Sequence, residues 1–346
     1  MLVATAGSAK AGSDRLFVGD GSDNNVEVFN AQNGNYLRTF PTASAPVVGP
    51  RGVLYSGGQL LLANQNVNTP FNGEVLRFNG TTGAEVLPPL VAGTRADAPF
   101  APRGMVRWNN KFYVANVCNP CSPDDPGGGG VLVYTSTGVY LKTLSPPPGP
   151  VQFHPFGVVI GPDGLLYVTS RPNLFSSDLG GRVLQFDPAT GKYLKTFIAN
   201  VGGPGKLNSP EGIVFGPDGK LYVTSLRADA SDTDKILVYQ GPSGAKPGTR
   251  VGKIDLDKAG GPNPKRSTAQ ALLFGPGGDL FVPITNAFTD GSTPGDTGAV
   301  RRYKVACRQT ATNPCFSNFV RPGGQLGQGW YLTFGKTNPG TLAYGG

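Results

Sequence analysis

Apolar positions along this chain fall in short runs of β-branched and aromatic residues, each bounded by turn residues. Leu166-Tyr167-Val168-Thr169-Ser170 and Leu221-Tyr222-Val223-Thr224-Ser225 are clear instances. The turns before them, Gly161-Pro162-Asp163-Gly164 and Gly216-Pro217-Asp218-Gly219, place proline where φ is preset and glycine where φ > 0 is needed. Runs this short between such turns predict strands, not helices, and an all-β chain.

The runs repeat. Pro50-Arg51-Gly52-Val53, Pro102-Arg103-Gly104-Met105, Pro155-Phe156-Gly157-Val158 and Pro210-Glu211-Gly212-Ile213 are copies of one phrase; Ala269-Gln270-Ala271-Leu272 and Pro339-Gly340-Thr341-Leu342 are looser ones. Each leads through a tight turn to a second strand, then a variable loop, a third strand, a second turn and a fourth strand. Tyr36-Leu37-Arg38-Thr39-Phe40, Tyr140-Leu141-Lys142-Thr143-Leu144 and Tyr193-Leu194-Lys195-Thr196-Phe197 are near copies of that fourth strand. Four antiparallel strands per unit, repeated, predict a six-bladed β-propeller. The chain opens on a second strand, Arg15–Asp20, and closes on an orphan copy of the first, Pro339–Tyr344. The C-terminal strand is therefore expected to complete the first blade and leave no open sheet edge. Residues 12–346 then form one domain, with residues 1–11 an unassigned extension.

These phrases resemble NHL repeats from about Asp14 onward, most closely in His154–Ser170, Ser209–Ser225 and Gly191–Phe197. Proteins of similar appearance include scaffolds, RNA binders, peptide-amidating lyases, virginiamycin B lyase-like proteins and the gluconolactonase/regucalcin group. The resemblance speaks to fold and leaves function open between an enzyme and a binding platform.

Composition adds compartment and charge. The chain has 346 residues, with Gly 52 and Pro 32, and its hydrophobic fraction of 38% is enough for a core. No apolar run approaches the ~18 residues of a membrane span. The first residues lack the basic-then-apolar pattern of an intact signal peptide. Four cysteines form two local pairs, Cys118 with Cys121 and Cys307 with Cys315, read as two disulfides of a secreted or extracytoplasmic protein. A four-thiolate zinc site would require pairs on opposite blades and faces to meet. The triplet Asn79-Gly80-Thr81 fits the same location. The net charge of +8 is uneven, with 19 basic against 12 acidic side chains in residues 174–346. It favours a small anionic substrate or an acidic polymer as partner of a monomer. Clusters as short as Lys265-Arg266 and Arg301-Arg302 argue against nucleic acid.

Propeller geometry places two sets of residues around one mouth of the central channel. The starts of the first strands give Arg51, Arg103, His154 with Phe156, Glu211 and Gln270. The ends of the second strands give Asp20, Asn64, Asn116, Ser170 with Arg171, Ser225 with Arg227, and Thr285 with Asn286. The long loops after the second strands open on the same face, where function usually sits. An insertion, Arg308–Gly329, should project from the opposite rim.

Glu211 stands where its repeat-mates carry no acid, so the fold does not require it. It reads as a metal ligand or general base, or as the ion-pair partner of Arg51 or Arg103. In the gluconolactonase/regucalcin group, acidic and asparagine side chains hold a channel metal and an arginine helps bind substrate. That resemblance implies Ca²⁺ or another divalent cation on Glu211, Asn64, Asn116 and Asn286. Arg51, Arg103, Gln270, Arg171 and Arg227 would face the substrate. The sequence shows no obvious second channel aspartate; Asp20 is the nearby candidate. His154 is the sole histidine, which excludes multi-histidine zinc and two-histidine copper sites, and it reads as a base or a packing residue. With Glu211 and Asp20 it completes the expected catalytic set. The acids Asp229, Asp232 and Asp234 lack the register of a calcium loop and read as a solvated turn. The leading expectation is a metal-assisted hydrolase or lyase acting on a small anionic or lactone-like substrate. The alternative is a non-catalytic platform for an acidic polymer or a protein.

Overall fold

The computed structural model describes residues 14–41, 47–65, 73–118, 128–146, 152–171, 179–199, 202–257, 266–285, 298–310 and 313–345. Among these the strands form six sheets arranged as propeller blades, and the one helical turn is the short 3-10 segment Pro276–Gly278. Blade 3 shows the plan: inner strand Pro102–Trp108, then Lys111–Asn116, Gly130–Thr135 and the outer strand Tyr140–Leu144, each antiparallel to its neighbour. Inner and second strands are almost wholly buried, whereas outer strands such as Tyr140–Leu144 expose most residues. Apolar runs therefore mark the inside of each blade, and the mixed Tyr-Leu-Lys-Thr phrase marks its rim.

The ring closes as expected in kind but ten residues early. The inner strand of blade 1 is Gly329–Phe334, the last strand of the chain, paired with Arg15–Asp20 through Leu16↔Phe334 to Asp20↔Gly329. Pro339–Tyr344, assigned that place from the repeat, instead caps the channel's far end. Pro339 and Gly340 offer carbonyls to the backbone N–H groups of Arg107 (2.7 Å) and Ile160 (3.1 Å). Leu342 packs against four core clusters and lines a central cavity of about 40 Å³, roughly the space of one water. The channel is thus shut at that end.

Two further details depart from the repeat. Blade 2 has three regular strands, and its outer position is held by isolated bridges Val75↔Val91 and Phe78↔Glu85. Between them lie Pro88 and Pro89, which have no N–H to give a ladder. In the expected insertion, Phe316–Val320 is the outer strand of blade 6, and residues 321–328 return to the mouth. The Cys307–Cys315 disulfide closes the turn before that strand, on the face away from the mouth. Cys118 is also disulfide-bonded; Cys121 and residues 1–11 lie outside the described residues.

Inner strands approach one another most closely one residue below the mouth. A Cβ on Gly52 would lie 2.1 Å from the carbonyl oxygen of Arg103, and one on Gly157 would lie 2.2 Å from that of Glu211. Gly104 meets the Phe156 oxygen at 2.9 Å in the same way. The recurring glycine is therefore imposed by neighbouring backbone, which cannot yield as a side-chain tip can. Gly52→Ala and Gly157→Ala should each cost about 1–3 kcal/mol, the usual price of overpacking. Urea denaturation checks this: an unchanged midpoint in both would mean the strands are not so close.

Candidate functional site

The register of the closing strand completes the mouth. Asp20↔Gly329 matches Pro50↔Asn64 and Pro102↔Asn116, so Trp330 stands in blade 1 where other blades carry Arg51, Arg103, Phe156, Glu211 and Gln270. The side chains of this ring interlock. Arg51 donates to Gln65 Oε1 (3.1 Å) and Gln270 Oε1 (2.9 Å), with its guanidinium 3.4 Å from the Trp330 ring centre. Arg103 also donates to Gln65. Phe156 lies between two cations, Arg171 at 4.3 Å and Arg103 at 5.5 Å. Arg171 and Glu211 form an ion pair with only 18% and 10% of their side chains exposed.

Below the ring, Tyr331 occupies the level of Gly52, Gly104, Gly157, Gly212 and Ala271, and lines the central cavity with the last four. Its hydroxyl is buried and has no hydrogen-bond partner among the described residues; the same holds for Arg103 Nε, Arg171 Nε and Glu211 Oε2. Burial pushes the Tyr331 phenol well above its ordinary range, and the Glu211 charge adds to this. Burial, and then the Arg103 guanidinium beside it, lower Arg51; burial alone is the chief cause of the lowering at Arg103. Guanidinium groups start so basic that both stay charged near neutrality. Among the described residues, three guanidinium groups thus face one carboxylate, a surplus of two positive charges.

The other expected residues serve a different purpose. Asn64 Oδ1 accepts the N–H of Val48 (2.7 Å), Asn116 Oδ1 that of Ala101 (2.7 Å), Ser170 Oγ that of His154 (3.2 Å) and Ser225 Oγ that of Asn208 (2.8 Å). Asp20 does the same in blade 1, taking the N–H groups of Gly327 (2.6 Å) and Gln328 (2.9 Å) besides Ser22. In these five blades this oxygen fastens the connection entering the inner strand to the end of the second strand, whereas in blade 6 the Thr285 hydroxyl donates to the Gly329 carbonyl (3.1 Å). The His154 ring is held at both nitrogens, Nδ1 to the Val117 carbonyl and Nε2 to Gln152 Oε1, each at 3.0 Å. Arg227 lies on the loop Leu226–Lys235 with its N–H on Asp234 (2.9 Å). In that loop Asp232 pairs with the wholly buried Lys235 and Asp234 with Arg266, so two of its acids are in ion pairs, while Asp229 is exposed and accepts from Ser231 as in the solvated turn expected. Asn286 lies outside the described residues.

The described residues of the mouth accordingly do not fit the expected divalent cation. Such an ion takes about six to eight oxygen ligands, whereas Glu211 is ion-paired among cations and the oxygens of Asn64 and Asn116 are committed to backbone. The carboxylates that do converge are Asp20, Asp23 and Glu27, within 4.8 Å of one another, a group that could hold a divalent cation. Burial pushes Glu27 up to about 7 despite the hydrogen bond from Thr39, and Asp20 raises it further.

Gln65, Trp330 and Tyr331 were not anticipated. Trp330 and Tyr331 escaped because Gly329-Trp330-Tyr331-Leu332 lacks the phrase's glycine, although the count of six inner strands required a copy near there.

No protein-family model and no curated protein matches the chain. Solved structures do. A protein of unknown function from Bacteroides caccae superposes with a TM-score of 0.60 at 13% identity, covering 93% of this chain and 98% of its own. The periplasmic gluconolactonase PpgL of Pseudomonas aeruginosa gives 0.54 at 18% identity, over 86% of this chain and 80% of its own. A candidate 6-phosphogluconolactonase from Bacteroides fragilis gives 0.53 at 14%, over 94% and 99%. The likeness is one of fold. This chain is a six-bladed propeller whose structural neighbours include gluconolactonase.

Two outcomes follow from this charge arrangement. Ca²⁺ added after EDTA should shift the melting temperature of wild type and Glu211→Gln equally; a shift confined to wild type would return a metal to the mouth. Because the folded Glu27 binds its proton more tightly than the unfolded chain, its contribution to stability is lost as pH rises from about 4.5 to about 7. Glu27→Gln should therefore raise the melting temperature more at pH 8 than at pH 5, and equal gains at both would contradict the buried charge.

Proposed function

We propose that this propeller is an extracytoplasmic hydrolase acting on a small anionic, lactone-like substrate at the channel mouth, with guanidinium charge standing where a channel metal was expected. The observation that carries the reading is the convergence of Arg51, Arg103 and Arg171 on a single carboxylate. A partly buried positive surplus is costly without a counter-charge, and an anionic substrate would supply it. The aromatic faces of Trp330 and Phe156 hold two of these cations in place, so little ordering would remain to be done on binding. The substrate class draws on the gluconolactonase among the structural neighbours. The location draws on that protein's periplasmic description and on the Cys307–Cys315 disulfide.

The test is hydrolysis of δ-gluconolactone and of lactones bearing a carboxylate or phosphate, measured in EDTA. Turnover should persist in EDTA and be fastest for a charged lactone. Arg51→Gln and Arg103→Gln should each lower kcat/KM about 10- to 100-fold, since a charge-assisted hydrogen bond contributes roughly 1.5–3 kcal/mol. Activity abolished by EDTA and restored by Ca²⁺ would sink this reading. A non-catalytic platform for an acidic polymer draws instead on the basic excess of residues 174–346. It predicts polymer binding indifferent to Arg51→Gln.

A further inference from the structure

Tyr331 is out of place by the logic of stability. At its level four of the other five blades carry glycine, where neighbouring inner strands leave no room for a Cβ, and the fifth carries only the small Ala271. Blade 1 alone places a large side chain there. Its ring fills the neck of the channel, a job that phenylalanine would do equally well. The hydroxyl is buried without a partner among the described residues, and a buried unsatisfied hydroxyl costs free energy that phenylalanine would not. Its charged surroundings are Glu211, Arg103, Arg51 and Arg171. Arg103 Nε, one of those neighbours' N–H groups, is likewise buried and unpartnered.

We propose that the Tyr331 hydroxyl and Arg103 Nε–H are a donor pair that binds one oxygen of an oxyanion at the floor of the mouth, making Tyr331 a ligand-touching residue. The inference rests on the anionic-substrate reading above and specifies what that site grips. A neutral phenol with its proton held firmly is a donor and not a counter-charge, so the pair suits an oxygen carrying partial or full negative charge. A carboxylate and a phosphate share that chemistry. Nothing in the pair requires a metal.

The experiment is calorimetric titration of wild type, Tyr331→Phe and Arg103→Lys with inorganic phosphate and, separately, with acetate. Melting temperatures are read alongside. Tyr331→Phe keeps the ring and removes only the hydroxyl; Arg103→Lys keeps the charge and removes Nε. Each should weaken the bound probe about tenfold or more, with the melting temperature of Tyr331→Phe unchanged or raised. The probe that binds wild type more tightly identifies the oxyanion as phosphate or carboxylate. If wild type and Arg103→Lys behave as stated but Tyr331→Phe binds like wild type, the hydroxyl is merely solvated and the proposal fails while the anion site stands. A marked fall in the melting temperature of Tyr331→Phe would make the hydroxyl structural and also overturn it. If neither probe binds wild type, the anionic-substrate reading fails and takes this one with it.

Discussion

The close approach of the inner strands below the mouth organises everything else in this molecule. Backbone from one blade lies where the next would put a Cβ, as at Gly52 against Arg103 and Gly157 against Glu211. The neck is accordingly lined by glycine or alanine in five blades and by one large side chain in the sixth. Tyr331 is that one, and with Leu342 below it the channel becomes a closed core. The residues immediately above the glycine level must point into a narrow space together. Arg51, Arg103, Phe156, Glu211, Gln270 and Trp330 are neighbours because of backbone spacing, before any attraction between them is considered.

A second constraint acts at the same face. Each connection entering an inner strand exposes N–H groups at a point where the sheet has not yet begun, and buried N–H groups need acceptors. The blade supplies one from the end of its second strand: an asparagine in blades 2 and 3, a serine in blades 4 and 5, and Asp20 in blade 1. The variation in residue type conceals a constant role, since amide, hydroxyl and carboxylate oxygens all accept. Asp20 takes two such bonds, from Gly327 and Gln328, which suits the blade where two distant parts of the chain are joined.

These two constraints explain what could be read from the sequence. Blade number, strand order and closure by the C-terminal strand were legible because turns and glycines recur at fixed offsets. The mouth residues were legible for the same reason, except in blade 1. There Tyr331 replaces the glycine that anchored the pattern, so the phrase was sought at Pro339–Leu342, where Leu342 serves as a plug. The polar ends of the second strands were visible as positions but not as roles. An oxygen that accepts a backbone N–H and one that faces a channel look alike in sequence, and only the fold tells them apart. Outer strands without the Tyr-Leu-Lys-Thr phrase, such as Phe316–Val320, were hidden because an exposed rim strand places few demands on its residues.

The arrangement of charge also bears on ligand size. Arg51 is stacked on Trp330 and bonded to Gln65 and Gln270; Arg103 shares Gln65; Arg171 is paired with Glu211 and lies over Phe156. Cations held this way cannot reach out to follow a flexible polymer, whose recognition is better served by exposed lysines on long stems. Their fixed directions suit a compact group and would discriminate among such groups by geometry. The positive surplus of the described ring is held among largely buried side chains, where low polarisability strengthens its pull on one small anion more than it would on a surface. A single carboxylate among the described ring residues, Glu211, keeps the ring from being purely cationic, and its Oε2 is buried without a partner among them. Fixed donors beside such an acceptor would suit a ligand that carries both an anionic group and a hydroxyl or water.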